Sequence, residues 1–454
     1  MKADQIPELL DRAGIELERQ FADLPDWYQV GASYDSEAIA SVLEETALRL
    51  GDNYPYFHPL YAGQMLKPPH PVARAAYALA MRINPNNHAR DGGRASSEME
   101  IEAVAALARM FGWNGDYLGH LTSSGTFANL EALWIAGQSA PGKRIVASQQ
   151  AHYTHHRISS VLKLDFTSVP TDQRGRMELN ALEDSLKTGK VGTIVATLGT
   201  TASGAVDPVA EIVELARRYG ARVHVDAAYG GYFRLVTDSL DASARRAYSS
   251  LDQADSIVID PHKHGLQPYG CGCVLFKDAS VGRFYKHDSP YTYFTSKELH
   301  LGEISLECSR AGASAVALWA TLKLLPLSAE GEFAEGLRKS IAAAQKLNTR
   351  LTSDAKGRFL TLVDGYPQLD IVVWTLSAAS NAECSQLARE TFAACATRGL
   401  HLALVDLPQY WFGPGIDAKD RPGTVTCLRS VLMKPEHESW LDEIWSRLCA
   451  AVDR

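Results

Sequence analysis

The chain is predicted to be an α/β protein with a mainly parallel central sheet and a smaller carboxy-terminal α+β unit. Three observations carry that expectation. Its 454 residues, 46% of them apolar, can bury a large core and form more than one domain. Between about residues 91 and 330, short β-branched runs alternate with helical patterns, as in a parallel sheet covered by crossover helices. Those runs are almost continuously apolar rather than alternating, which strands buried on both faces require.

From the amino terminus, MKADQIPELLDRAGIELERQ mixes charge with regularly spaced apolar residues and reads as an amphipathic helix. It has neither the apolar core nor the cleavage site of a secretory signal, so a cytoplasmic protein is expected. NYPYFHPLYAGQMLKPPHP follows, rich in proline and aromatics, and reads as an extended arm suited to a dimer interface. The predicted buried strands are RIVAS (144–148), VGTIVATLG (191–199), ARVHVDAA (221–228) and DSIVID (255–260). Between them DPVAEIVELARRYG places apolar residues at i, i+3, i+4 and i+7, a helix. After the break from Pro326 to Gly331 comes a long helical pattern, GEFAEGLRKSIAAAQKLNTRL, then shorter strands in FLTLVD, DIVVWTL and TVTCLRSVLM. The expected division is therefore 1–90, helix and arm; 91–330, large domain; 331–454, small domain.

A net charge of −8 offers no broad basic face to nucleic acid. No stretch reaches the roughly 18 uninterrupted apolar residues of a membrane span; ASAVALWATLKLLPL is broken by Lys323 and Pro326. Seven scattered cysteines argue for free thiols, and the Cys271/Cys273 pair lacks a second pair at zinc spacing. GQSAPGK (137–143) approaches a P-loop, but Arg144 stands where the Mg²⁺-binding hydroxyl belongs, and the segment leaves a helix rather than a strand. A small-molecule partner is left.

In open α/β sheets ligands collect beyond the carboxyl ends of the strands. There VGTIVATLG leads to Thr200 and Thr201, ARVHV to Asp226, Ala227 and Ala228, and DSIVID to Pro261, His262 and Lys263. A pyridoxal-phosphate (PLP) site needs these groups. Lys263 can carry the cofactor as a Schiff base, and Asp226 can pair with its ring nitrogen. LTSSGTFANLEALWIAG offers Ser124, Gly125 and Thr126 at a helix start, where free N–H groups favour a phosphate. The same residues make an ordinary helix cap. His152, in SQQAHYTHH, is placed to stack on the ring with Ala228 opposite; the competing reading pairs His152 with His156 on a metal.

In these motifs the chain resembles the group II PLP-dependent amino-acid decarboxylases, relatives of glutamate, aromatic-amino-acid and archaeal tyrosine/aspartate decarboxylases. They belong to the aspartate-aminotransferase-like fold type I. The resemblance runs from FHPLYAGQ and SSEMEIEAVAALARMFGW through TSSGTFANLEAL, SQQAHYTHH, ATLGTTASGAVDP, VHVDAAYGGYF and DSIVIDPHKHG to ECSRAGASAVALW. It implies that Lys263 is the Schiff-base lysine, Asp226 the partner of the ring nitrogen, His152 the stacking residue and Ala228 the small residue beneath the ring. It also implies that Thr201 lies near the cofactor oxygen and substrate carboxylate, and that His262 reaches the phosphate or the catalytic centre. Arg310, in CSRAG, would grip the substrate carboxylate. Two departures stand out: His264 follows H-K where the family usually has a bulky apolar residue, and Phe127 replaces a common Glu.

The implied reaction is decarboxylation of an L-amino acid by a homodimer with active sites at its interface. The substrate is expected to be aromatic rather than acidic, because SPYTYFTSKE resembles the archaeal loop and the arm is aromatic. On that loop Tyr293, and Tyr291 after it, are the expected proton donors to the substrate's α-carbon. A carbon–carbon aldehyde lyase of the sphingosine-phosphate-lyase kind, a decarboxylation-coupled aldehyde synthase and an aminotransferase share these motifs. Against the lyase, no hydrophobic anchor or second basic phosphate pocket is evident.

Overall fold

The protein was analysed as a computed structural model describing residues 5–25, 35–286, 304–363, 365–415 and 423–453. The buried runs form a seven-stranded sheet: β1 (Leu118–Thr122), β2 (Arg144–Ser148), β3 (Phe166–Val169), β4 (Val191–Thr197), β5 (Arg222–Asp226), β6 (Ser256–Ile259) and β7 (Gly272–Phe276). Their order is β1-β7-β6-β5-β4-β2-β3. Neighbours from β6 to β3 pair in parallel, while β7 runs antiparallel to both β6 and β1. The α/β, mainly parallel expectation holds.

All seven residues of β4 are buried, which explains its unbroken apolar sequence. The helix Val209–Tyr219 packs on β4 and β5 through Val209, Ile212, Val213 and Ala216. It ends at Gly220, whose φ of 68° is the left-handed turn that a residue with a Cβ adopts only at a cost. Register then matters for the site. Thr197 pairs with Asp226, and Asp226 with Val258, so the carboxyl ends of β4, β5 and β6 lie side by side.

The carboxy-terminal strands β8 (Phe359–Thr361), β9 (Ile371–Leu376), β10 (Ala403–Pro408) and β11 (Thr424–Val431) form an antiparallel sheet, ordered β10-β11-β9-β8. The two sheets are not insulated from each other. One core cluster runs from Leu107, Ile194 and Val225 through Leu369 and Ile371 to Trp411 and Val425. A second, around Leu347, Trp374 and Leu448, belongs to the small sheet and its helices.

The amino-terminal region holds helices Ile6–Arg19, Ser36–Leu50 and Pro71–Met81. Asp35 caps the second by accepting the N–H groups of Glu37 (2.9 Å) and Ala38 (3.2 Å). That helix buries none of its residues, and Val42, Leu43, Leu48 and Leu50 are all exposed. The arm has no regular structure and lies along the small sheet of its own chain. There the Ala62 N–H donates to the His401 carbonyl, and the Val431 N–H to the Ala62 carbonyl, both at 2.8 Å. Among the described residues no helix is long and apolar enough to cross a membrane.

Candidate active site

The aligned ends of β4, β5 and β6 open into a cavity of about 190 Å³. Of the residues singled out in the sequence, Ser124, Gly125, Thr126, His152, Thr201, Asp226, Ala228, His262 and Lys263 all line it. They come from five separate segments, brought together by strand register and by the helix Gly125–Ser139, which packs on β4, β5 and β6.

Ser124 caps that helix, its Oγ accepting the Phe127 N–H at 3.2 Å. The cap satisfies Phe127 and leaves the N–H groups of Gly125 and Thr126 without a partner within the helix. Gly125 is required sterically: a Cβ there would run into the Asp260 carboxylate. Asp260, buried and absent from the expected site, takes the Lys263 ammonium at 3.1 Å and lies 3.5 Å from His262 Nε2. Its second oxygen, Oδ1, is buried without a partner, as is Thr197 Oγ1 beside it on the cavity wall.

Asp226 ends β5. Its Oδ1 accepts the Ala228 N–H at 3.1 Å, and its Oδ2 is 2.8 Å from Nε2 of His155, a fully buried histidine. Burial pushes this carboxyl up, but the His155 hydrogen bond and charge and the nearby Lys263 outweigh it, holding Asp226 well below the usual carboxylate range. His152 holds its Nδ1 2.7 Å from Thr154 Oγ1, and burial lowers its pKa. His262 donates Nδ1–H to the Cys271 carbonyl at 2.7 Å, leaving Nε2 toward Asp260; burial lowers its pKa too. His156 lies apart, exposed and edge-on to Phe166, and no metal-binding cluster occurs among the described residues.

Arg310 does not join these groups. Its guanidinium is buried against Glu100 at 2.7 Å and donates to the carbonyls of Leu121 (2.6 Å) and Asn87 (3.1 Å). Glu100 already balances its charge, and Arg310 is not among the residues that line the cavity, so its position does not support the carboxylate-gripping role expected of it. Tyr291 and Tyr293 lie outside the described residues. His264 is fully buried, 3.1 Å from Asp370 Oδ2 and edge-on to Tyr229 and Phe233, so a carboxylate from the small-sheet side compensates the polar residue at this apolar position.

The sequence reading passes over Arg429, on β11. Its guanidinium donates to the carbonyl of Thr201 at 2.8 Å and to Gln64 Oε1 at 3.1 Å. Only 5% exposed, it forms no ion pair with a carboxylate among the described residues, and its Nε has no partner. An arginine within an otherwise apolar strand pattern was the signal available.

This lysine, acid and helix-start arrangement coincides with a match to the pyridoxal-dependent decarboxylase conserved domain over residues 53–376. The chain belongs to that family. It is a PLP-dependent amino-acid decarboxylase, and its cavity fits the cofactor: a lysine, a buried anionic carboxylate and the start of a helix line one space. An L-tyrosine decarboxylase of Enterococcus faecium is 27% identical over 454 aligned residues, covering 77% of this chain and 73% of the relative. A probable L-tyrosine/L-aspartate decarboxylase of Methanoculleus marisnigri is 30% identical, over 76% and 86%. The structure of Oryza sativa TDC with PLP and tryptamine aligns with a TM-score of 0.79 at 19% identity, over 100% of this chain and 98% of that one, a likeness in fold.

Proposed function

We propose that this decarboxylase acts on an aromatic L-amino acid, holding the substrate carboxylate with Arg429 rather than Arg310. The observation that carries the second point is the uncompensated burial of the Arg429 guanidinium against Thr201, a cavity residue. A carboxylate arriving there would supply the missing anion and accept two parallel N–H bonds. The aromatic preference is supported by the rings gathered beside this end of the cavity. Tyr269 packs on His262 with centroids 4.9 Å apart, and Tyr54, Tyr56 and Tyr61 cluster on the arm. The relatives named for tyrosine point the same way, and those named for both tyrosine and aspartate make the acidic substrate the alternative.

Lys263 is assigned the covalent link to the cofactor, Asp226 the ring nitrogen, His152 and Ala228 its two faces, and Ser124, Gly125 and Thr126 its phosphate. When bound, PLP draws off the electron pair released at the substrate's α-carbon as CO₂ leaves. Arg429 would fix the carboxylate so that its bond to the α-carbon stands across the ring plane. Asp260 would hold the Lys263 amine in place whenever it is free of the cofactor. Protonation of the α-carbon is assigned to Tyr293, with Tyr291 second, on the resemblance of the loop sequence. A homodimer is proposed from the exposed apolar residues of the helix Ser36–Leu50. The domain division at about 90 and 330 is kept with it.

The test is a screen of the PLP-loaded protein against tyrosine, phenylalanine, tryptophan, aspartate and glutamate, with CO₂, amine and aldehyde measured separately. Amine equal to CO₂ from an aromatic substrate is expected. Turnover confined to aspartate or glutamate overturns the substrate assignment, and an excess of aldehyde over amine shifts the net outcome to aldehyde synthesis. In the Tyr293→Phe variant, amine should fall more than CO₂.

A further inference from the structure

We propose that His155 is a positioning residue for the reaction: its hydrogen bond keeps the Asp226 carboxylate anionic and aimed at the cofactor's ring nitrogen. The inference rests on the assignment of Asp226 to that nitrogen and adds to it a residue that touches neither substrate nor cofactor in the proposed arrangement.

The geometry divides the charges of the site into two pairs. Asp260 takes Lys263, whereas Asp226 takes His155, so the lysine is not held by the carboxylate meant for the ring. His155 Nε2 must carry the hydrogen, because the atom it faces at 2.8 Å is a carboxylate oxygen. Its Nδ1 is buried with no partner among the described residues. The donated hydrogen holds Asp226 as a carboxylate, whose negative charge stays at the site. A protonated ring nitrogen would balance that charge. The charged and titratable groups facing Asp226 are His155 from the helix Thr154–Val161, His152 just before that helix, Lys263 from the loop after β6, and His224 on β5. His224 is itself tied to Asn129 and Ser256 at 2.8 Å each and stays neutral, its pKa pushed down to about 3 by burial. Without His155, a buried carboxylate would retain one backbone donor and the shared field of a lysine paired elsewhere.

The experiment compares His155→Gln, whose amide can still donate to Asp226, with His155→Leu, which cannot, in the full-length protein. With cofactor removed, the ¹³C resonance of the Asp226 carboxylate is titrated, assigned by its loss in Asp226→Asn. With cofactor restored, the ¹⁵N resonance of a labelled ring nitrogen and the split between kcat and KM are measured. Expected for Leu are an Asp226 midpoint raised by about one pH unit or more, loss of the protonated ring-nitrogen signal, and a fall in kcat with little change in KM. Gln should return the Asp226 midpoint and the nitrogen signal toward the wild-type values. Should the Leu variant not fold, His155→Asn, too short to reach, takes its place. An Asp226 midpoint and nitrogen signal unmoved in Leu or Asn overturn the proposal, as does a Gln variant displaced as far as Leu. The carboxylate titration needs neither cofactor nor substrate, so failure of the functional assignment would show separately, as absence of CO₂ release by the wild-type protein.

Discussion

Arg310 and Asp226 are both buried charges close to strand ends, and their surroundings differ in kind. Around Arg310, Glu100 Oε1 takes the guanidinium and the Leu121 N–H, while Glu100 Oε2 accepts from Asn87. The charge is balanced within the chain and faces no cavity. Asp226 and its neighbours line an open space, and Asp260 Oδ1 and Thr197 Oγ1, on two residues of its wall, have no hydrogen-bond partner. Arg429 resembles the second case, a buried cation with carbonyl and amide partners only. Burial of a charge is common to structural and functional sites; incomplete compensation beside a cavity separates them.

The largest expected effect breaks the open cluster at its covalent residue. Lys263→Ala should lower turnover by about 10³-fold or more and abolish the cofactor's protein-bound absorption band; retention of a borohydride-reducible link would move the attachment to another lysine. Next, Arg310→Met removes one partner of a closed pair and should cost about 3–5 kcal/mol in denaturant unfolding, leaving substrate KM in the surviving folded enzyme near its original value. A KM raised tenfold with stability intact would return Arg310 to the site. Arg429→Lys should do the reverse, raising KM by about 10- to 100-fold with the cofactor spectrum unchanged, since one ammonium cannot replace a planar fork. Equal effects on aromatic and acidic substrates are expected there, because both carry the same α-carboxylate.

The smallest effect is set by pH. His224 in the large sheet and His437 beside the small one are buried neutral, with pKa values pushed down from 6.5 to about 3 by burial. The unfolded chain takes up these protons below about pH 6.5 and the folded chain does not. Their contribution to stability is therefore present above that pH and lost as it falls toward 3, about 1 kcal/mol per histidine by pH 5.5. Comparing urea unfolding of the wild type and a His224→Gln variant between pH 7 and 5.5 checks it: the variant should lose about 1 kcal/mol less than the wild type over that fall.

Much of this site was legible because its residues follow strands whose continuous apolar character is unmistakable: Lys263 after β6, Asp226 at the end of β5, Thr201 after β4. The strands β1, β3, β7 and β10 were not read. LGHLT, FTSV and GCVLF are short and carry Gly, His, Ser or Cys, and ALVDLP has an Asp in its middle, so period and composition give little signal. His155 was hidden between His152 and His156, where the choice of inward-facing histidine depends on where the helix Thr154–Val161 starts. Arg310 failed for a different reason. Its partner Glu100 is 210 residues away in the chain, and no local pattern distinguishes an arginine awaiting a substrate from one already satisfied.

The pairing of His264 with Asp370 couples these two positions energetically. Asp370 Oδ1 accepts the Tyr229 hydroxyl at 2.6 Å, and His264 stands 3.1 Å from Oδ2. Installing the family's apolar residue alone, as in His264→Met, would leave a buried carboxylate with one donor, while Asp370→Leu alone would strand the imidazole and the phenol. The joint change leaves only the Tyr229 phenol unpaired, so the effects of the two substitutions should be non-additive. Libraries aimed at reshaping the wall next to Lys263 should therefore vary 264 and 370 together, since a one-position scan would score both as immutable.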